Sequence, residues 1–133
     1  MKDSYAVAAA SAAALVASAA KVLDLGDGYV EGDVVIDVSA MDVATTDEIY
    51  TIVWQLSPDA TFGTAANVVE ACQINLGAAP PKITDSNVAN VIGRYILPVR
   101  NEFAGTIYRY ARLWTVGSIA GSSITYTAFL GKR

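Results

Sequence analysis

Hydrophobic and polar residues alternate in short runs along this chain, and no stretch carries a convincing 3.6-residue period, so the pattern predicts strands rather than amphipathic helices. Two runs rich in aromatic and β-branched residues, 108–116 and 123–130, flank a short piece punctuated by Gly117 and Gly121. That arrangement predicts a β-hairpin with a loop longer than two residues. Residues 49–56, Ile-Tyr-Thr-Ile-Val-Trp-Gln-Leu, have the content of a central strand buried on both faces, stopped by the turn chemistry of Ser57-Pro58-Asp59. Further strands are expected over 34–38, over 68–76 with Gly77 and Pro80-Pro81 as terminators, and over 91–99 with a boundary or bulge at Pro98. Gly26 and Gly28 mark a turn at the entry to these runs, and 101–105 reads as a loop.

Because successive strand residues face opposite sides, Tyr108, Tyr110, Arg112 and Trp114 share one face and Arg109, Ala111, Leu113 and Thr115 the other. Neither face is purely polar. Whatever part of it is not core needs a cover, for which a partner subunit is one candidate.

The first twenty residues break the pattern with a run of alanines. Propensity favours a helix there. Lys2 and the small residues Ala17-Ser18-Ala19 would also fit a secretory signal, although Asp3 cancels the basic start. A third reading is an arm, residues 1–21, laid extended across a neighbouring surface with Tyr5, Val7, Leu15 and Val16 as anchors, ahead of a domain spanning 22–133. The segment is too weakly apolar for a membrane span.

Composition narrows the chemistry. The chain of 133 residues fits one domain, and it contains no histidine, the commonest general base and neutral metal ligand. Its single cysteine, Cys72, reads as a buried thiol outside any internal disulfide. A net charge of −4 argues against nucleic acid as a partner. The charge is unevenly spread: residues 1–85 hold three basic and twelve acidic side chains (−9), and residues 86–133 hold six basic and one acidic (+5). Either these halves meet within one subunit or they favour contacts between subunits.

Asp24, Asp27, Glu31 and Asp33 crowd the first glycine turn, but their spacing does not match a twelve-residue calcium loop, so a solvated turn is expected. Carboxylate pairs such as Asp24 with Asp27 or Asp47 with Glu48 are the sole candidates for hydrolytic chemistry. Trp54 and Trp114 are expected in core or interface. Arg94, Arg109 and Arg112, beside Tyr95, Tyr108 and Tyr110, suit stacking and pairing across a protein interface.

Small residues leading into Val22-Leu23-Asp24-Leu25-Gly26, a central strand ending in Ser57-Pro58-Asp59-Ala60-Thr61-Phe62, the Arg94-Tyr95 strand, Tyr110-Ala111-Arg112-Leu113 and a final Thr127-Ala128-Phe129-Leu130 together resemble the capsid cement, or decoration, proteins of tailed bacteriophages. The resemblance spreads over most of the chain, and its alanine-rich leader departs from it. It implies an all-β jelly-roll sandwich with an N-terminal arm, assembled as a homotrimer on the outer face of the virion head. There it would bridge major capsid protein subunits near three-fold and local three-fold positions, with no catalytic site and no cofactor. A secreted β-sandwich binding module, lectin-like or adhesive, is the alternative reached through the signal-peptide reading.

Overall fold

The alternating runs fold as an antiparallel β-sandwich. The computed structural model describes residues 3–8, 12–13, 15–16, 19–43, 48–77, 92–117 and 123–133, with side chains from residue 21 onward. In chain order the strands are β1 (Asp3–Ala8), β2 (Ala12–Ala13), β3 (Leu15–Val16), β4 (Ala19–Ala20), β5 (Leu23–Asp24), β6 (Glu31–Met41) and β7 (Ile49–Ser57). A 3₁₀ turn, Ala65–Asn67, precedes β8 (Val69–Gly77), and then come β9 (Gly93–Arg100), β10 (Glu102–Phe103), β11 (Thr106–Ile107), β12 (Tyr110–Gly117) and β13 (Ser123–Lys132).

One sheet runs β1-β13-β6-β9 and the other β2-β12-β7-β8, with β5 joining the β2 edge of β12. The inward faces meet in one core. Val34, Ile36 and Val38 of β6 and Ile124, Tyr126 and Ala128 of β13 pack against Ile52, Trp54 and Leu56 of β7 and Ala111 and Leu113 of β12. Every second residue is buried from Gly32 to Val38 in β6 and from Ile124 to Ala128 in β13, as a half-solvated sheet requires. As expected, β7 is central and buried on both faces, since Val53 and Gln55 on its outer side are also covered.

The expected terminal hairpin does not form. β12 and β13 are the strands the pattern predicted, but they lie in different sheets. β12 pairs with β7 on one side and with β2 and β5 on the other, whereas β13 sits between β1 and β6. Each strand already has a neighbour on both edges, so neither has an edge left for the other. They touch across the core instead, where Thr115 Oγ1 and Tyr126 Oη share a hydrogen bond of 2.9 Å. Glycine-rich punctuation foretells a chain reversal, but a reversal that crosses between sheets carries the same signal as one that stays in the sheet.

Two further expectations need correction. Pro98 neither ends nor bulges its strand: β9 runs through it in unbroken register, with Pro98 opposite Asp33. β9 is an edge strand, the place where a missing N–H is tolerated. The leader is not helical where it is described. Asp3–Ala8 pairs along β13, and Ala12–Ala13 along β12, in the chain's own sheets. Backbone pairing to a ready-made edge outweighs a per-residue propensity of less than about 1 kcal/mol.

Tyr126 yields a pH prediction. Burial pushes its phenol up to about 12 from an ordinary 10.0, against the smaller opposite effect of the Thr115 hydrogen bond. An acid whose folded value exceeds its unfolded value supports the fold fully below the unfolded value and loses that support as pH climbs towards the folded one. Denaturant melts between pH 8 and pH 11.5 should therefore show the advantage of the wild type over Tyr126→Phe shrinking once pH passes about 10. A gap that stays constant would mean that Tyr126 is not buried as described.

Candidate interaction surface

The outer face of the β12 sheet is organised by one arginine. Strand alternation sends Ala111, Leu113 and Thr115 into the core and leaves Arg112 and Trp114 outside. The turn after β7 folds back over Arg112. Asp59 accepts hydrogen bonds from Thr61 N (2.9 Å) and Thr61 Oγ1 (2.8 Å), which hold its carboxyl below the usual range, and Ser57 Oγ accepts from Asp59 N at 3.0 Å. The turn sets Phe62 at φ 52°, a left-handed conformation uncommon for a residue with a side chain, and buries its ring.

The Arg112 guanidinium lies between two rings, 4.2 Å from the Phe62 centroid and 4.3 Å from that of Trp114. Arg112 Nε donates to Gln55 Oε1 at 2.8 Å, and Gln55 Nε2 in turn donates to Glu70 Oε1 at 3.1 Å. Desolvation between the rings pulls the Arg112 pKa below its ordinary value. Rings, amide and carboxylate thus fix the plane of the cation without neutralising it.

The other arginines are neutralised inside the chain. Arg94 grips Asp37 with two bonds of 2.6 and 2.8 Å. Arg109 does the same to Asp24 at 3.0 and 2.9 Å and reaches Asp27 at 3.5 Å. Arg133 pairs with Asp33 at 2.7 Å and with Glu31 at 3.5 Å, and Arg100 with Glu102 at 3.4 Å. Most of these pairs join an acid from the first half to a base from the second, so the charge asymmetry of the sequence meets within the subunit. The four acids of the first glycine turn are arginine partners. Among the described residues, no cluster of three or more acidic or cysteine side chains could hold a metal ion.

A second feature lies at one end of the sandwich. β10 and β11 form a two-residue hairpin whose tip, Ala104 and Gly105, takes φ values of 50° and 82°, and Glu102 Oε1 accepts from Gly105 N at 2.6 Å. The hairpin holds Phe103 41% exposed, beside Tyr29 at 53%, and Ile107 46% exposed on its other face. Between Tyr29, Phe103, Cys72 and the Arg100 and Arg133 side chains lies an open cleft of about 290 Å³. Cys72 is half-buried rather than fully buried, its Sγ 3.6 Å from the Pro98 carbonyl, and desolvation pushes its thiol pKa up.

The structure divides the residues singled out from sequence. Tyr5 and Val7 sit on β1 opposite Tyr126 and Ile124, and Leu15 and Val16 on β3 opposite Ala20 and Ala19. Arg94 lies on the outer sheet edge, locked to Asp37. Arg109 stacks on the neighbouring Tyr110 ring at 5.3 Å, and Arg112 follows Tyr110 by two residues on the same face of β12. Asp47 falls outside the described residues. Sequence reasoning passed over Phe62, Gln55, Tyr29, Phe103 and Ile107. A large apolar residue stranded among turn residues, as Phe62 and Phe103 are, was the available signal. Comparison with protein-family models, with curated proteins and with solved structures finds no match.

Proposed function

We propose that the chain is a capsid cement protein, a homotrimer on the outer surface of a tailed-phage head that bridges major capsid protein subunits without cofactor or catalysis. The observation that carries this is the pair Tyr29 and Phe103, large side chains held out to solvent beside one cleft, with Ile107 exposed on the other face of the β10–β11 hairpin. Exposed apolar side chains on rigid elements favour protein partners. Small interfaces suffice on a shell, because several contacts per assembly add through effective concentration.

The framework supports the same reading. With β2 and β5 taken as one interrupted strand and the β3–β4 and β10–β11 hairpins set aside, eight strands remain. The sheets then run first-eighth-third-sixth and second-seventh-fourth-fifth, which we read as a jelly roll of two Greek keys.

The test is to mix purified protein with expanded, undecorated heads of the phage that encodes it and sediment them. Saturable co-sedimentation is expected, together with a trimer mass by analytical ultracentrifugation. No binding at any ratio would remove the proposal.

A further inference from the structure

We infer that Arg112 is the docking cation of this protein, and that the end of its guanidinium receives a carboxylate side chain of the protein to which the subunit binds. This rests on the cement reading for the identity of that partner, a capsid subunit, but not for the chemistry of the contact.

Four arginines of the chain each hold a carboxylate of the same subunit. Arg112 does not: among the described residues its single hydrogen bond runs from Nε to the neutral Gln55 amide, and both Nη groups lack an acceptor. A partly desolvated guanidinium normally has its charge matched. Here the protein does something else. It clamps the cation between Phe62 and Trp114, fixes its rotation through Gln55, and places Glu70 on the far side of that amide, where it orients Gln55. What remains is a planar pair of parallel N–H donors, oriented before any partner arrives. That geometry matches both oxygens of one carboxylate. The rings flanking it exclude water from the contact, as the surround of an interface hot spot does. The partner chemistry follows from the charge: a basic or neutral side chain would leave Arg112 unmatched when the contact closes.

The structural alternative is that Arg112 merely packs against Phe62 and Trp114. Arg112→Met keeps the stem and most of that packing but removes the fork. Arg112→Lys keeps the charge but not the planar donors. Both variants should unfold at the wild-type temperature within a few degrees. Both should bind expanded, undecorated heads at least tenfold more weakly than wild type. Wild-type head binding by a folded Arg112→Met or Arg112→Lys protein would overturn the inference while leaving the cement reading standing.

If wild type itself ignores the heads, the cement reading fails and a second measurement decides the inference alone. An acetylated hexaglutamate peptide is titrated into the protein at constant ionic strength while tryptophan emission is followed. Trp54 is in the core, so the response reports Trp114. A saturable change with peptide, absent with inorganic phosphate and lost in Arg112→Met, is expected. No change with the peptide, or an equal change with phosphate, would overturn the inference.

Discussion

Alanine at position 54 is expected to leave the protein barely folded at 37 °C. Trp54 is the largest side chain in the core, 1% exposed, on the central strand of its sheet, with Nε1 donating to the Arg100 carbonyl at 3.2 Å. Truncating a buried tryptophan removes about 3–5 kcal/mol, partly as lost transfer energy and partly as an unfilled cavity. A domain of this size has a total of roughly 5–15 kcal/mol. Guanidinium titration should therefore show an unfolding free energy lower by that amount for Trp54→Ala. Trp54→Phe, which keeps most of the packing and drops only the indole hydrogen bond, should lose about half as much. A loss below about 1 kcal/mol for the alanine variant would mean that the two sheets do not meet over this residue.

The sequence revealed strands far better than partners. Residues 49–56 announced a central strand because apolar residues occupy both parities, and β7 is indeed buried on both sides. Alternation along 123–130 sets Ile124, Tyr126 and Ala128 on one face and Thr125 and Thr127 on the other, because the period of two follows from backbone geometry alone, and the first set is the buried one. Pairing has no such local signature. β12 and β13 look like a hairpin because nothing between residues 108 and 130 encodes whether the chain turns within a sheet or passes to the other one. That choice depends on β6 and β7, far earlier in the chain, which offer each strand a competing edge. The leader's conformation stayed open for a similar reason: the alanine propensity that favours a helix is local, whereas the edge of β13 is not.

The surface was legible where chemistry is scarce. With so few charged residues, the arginines of the second half were conspicuous, and three of them were singled out. Their roles were not separable, because Arg94, Arg109 and Arg112 differ only in whether a carboxylate of the first half comes opposite them. Register decides that. Asp37 stands opposite Arg94, and Asp24 lies beside Arg109, whereas Arg112 comes opposite Gln55. The Phe62 contact was invisible for another reason: a left-handed residue after a turn redirects the chain in a way that residue identity does not announce.

Asn101→Ala should be nearly as damaging as the loss of the tryptophan, through polarity rather than volume. Asn101 is completely buried, between β9 and β10, and uses every polar group it has. Its Oδ1 accepts from Val30 N at 2.8 Å, and its Nδ2 donates to the Gly28 and Tyr108 carbonyls at 2.9 and 3.0 Å. Its backbone bonds Val30 O at 3.0 Å and Tyr108 N at 2.8 Å. One side chain thereby ties the 28–30 turn and the root of the β10–β11 hairpin together. Alanine leaves three backbone groups without partners, each worth about 1–3 kcal/mol if water is kept out, so about 3–4 kcal/mol is expected once some are rehydrated. For a domain of this length that lowers the melting temperature by roughly 10 °C. Asn101→Asp keeps the acceptor for Val30 but turns the donor nitrogen into an oxygen facing two carbonyls and buries a charge, so it should melt no higher than the alanine variant at neutral pH. The same loss loosens the platform under Tyr29, Phe103 and Ile107. At temperatures where Asn101→Ala is still folded, its binding to undecorated heads should weaken while amide exchange in β6, β7 and β13 stays slow. An aspartate variant as stable as the wild type, or exchange that rises equally throughout the sandwich, would place Asn101 in an ordinary solvated loop.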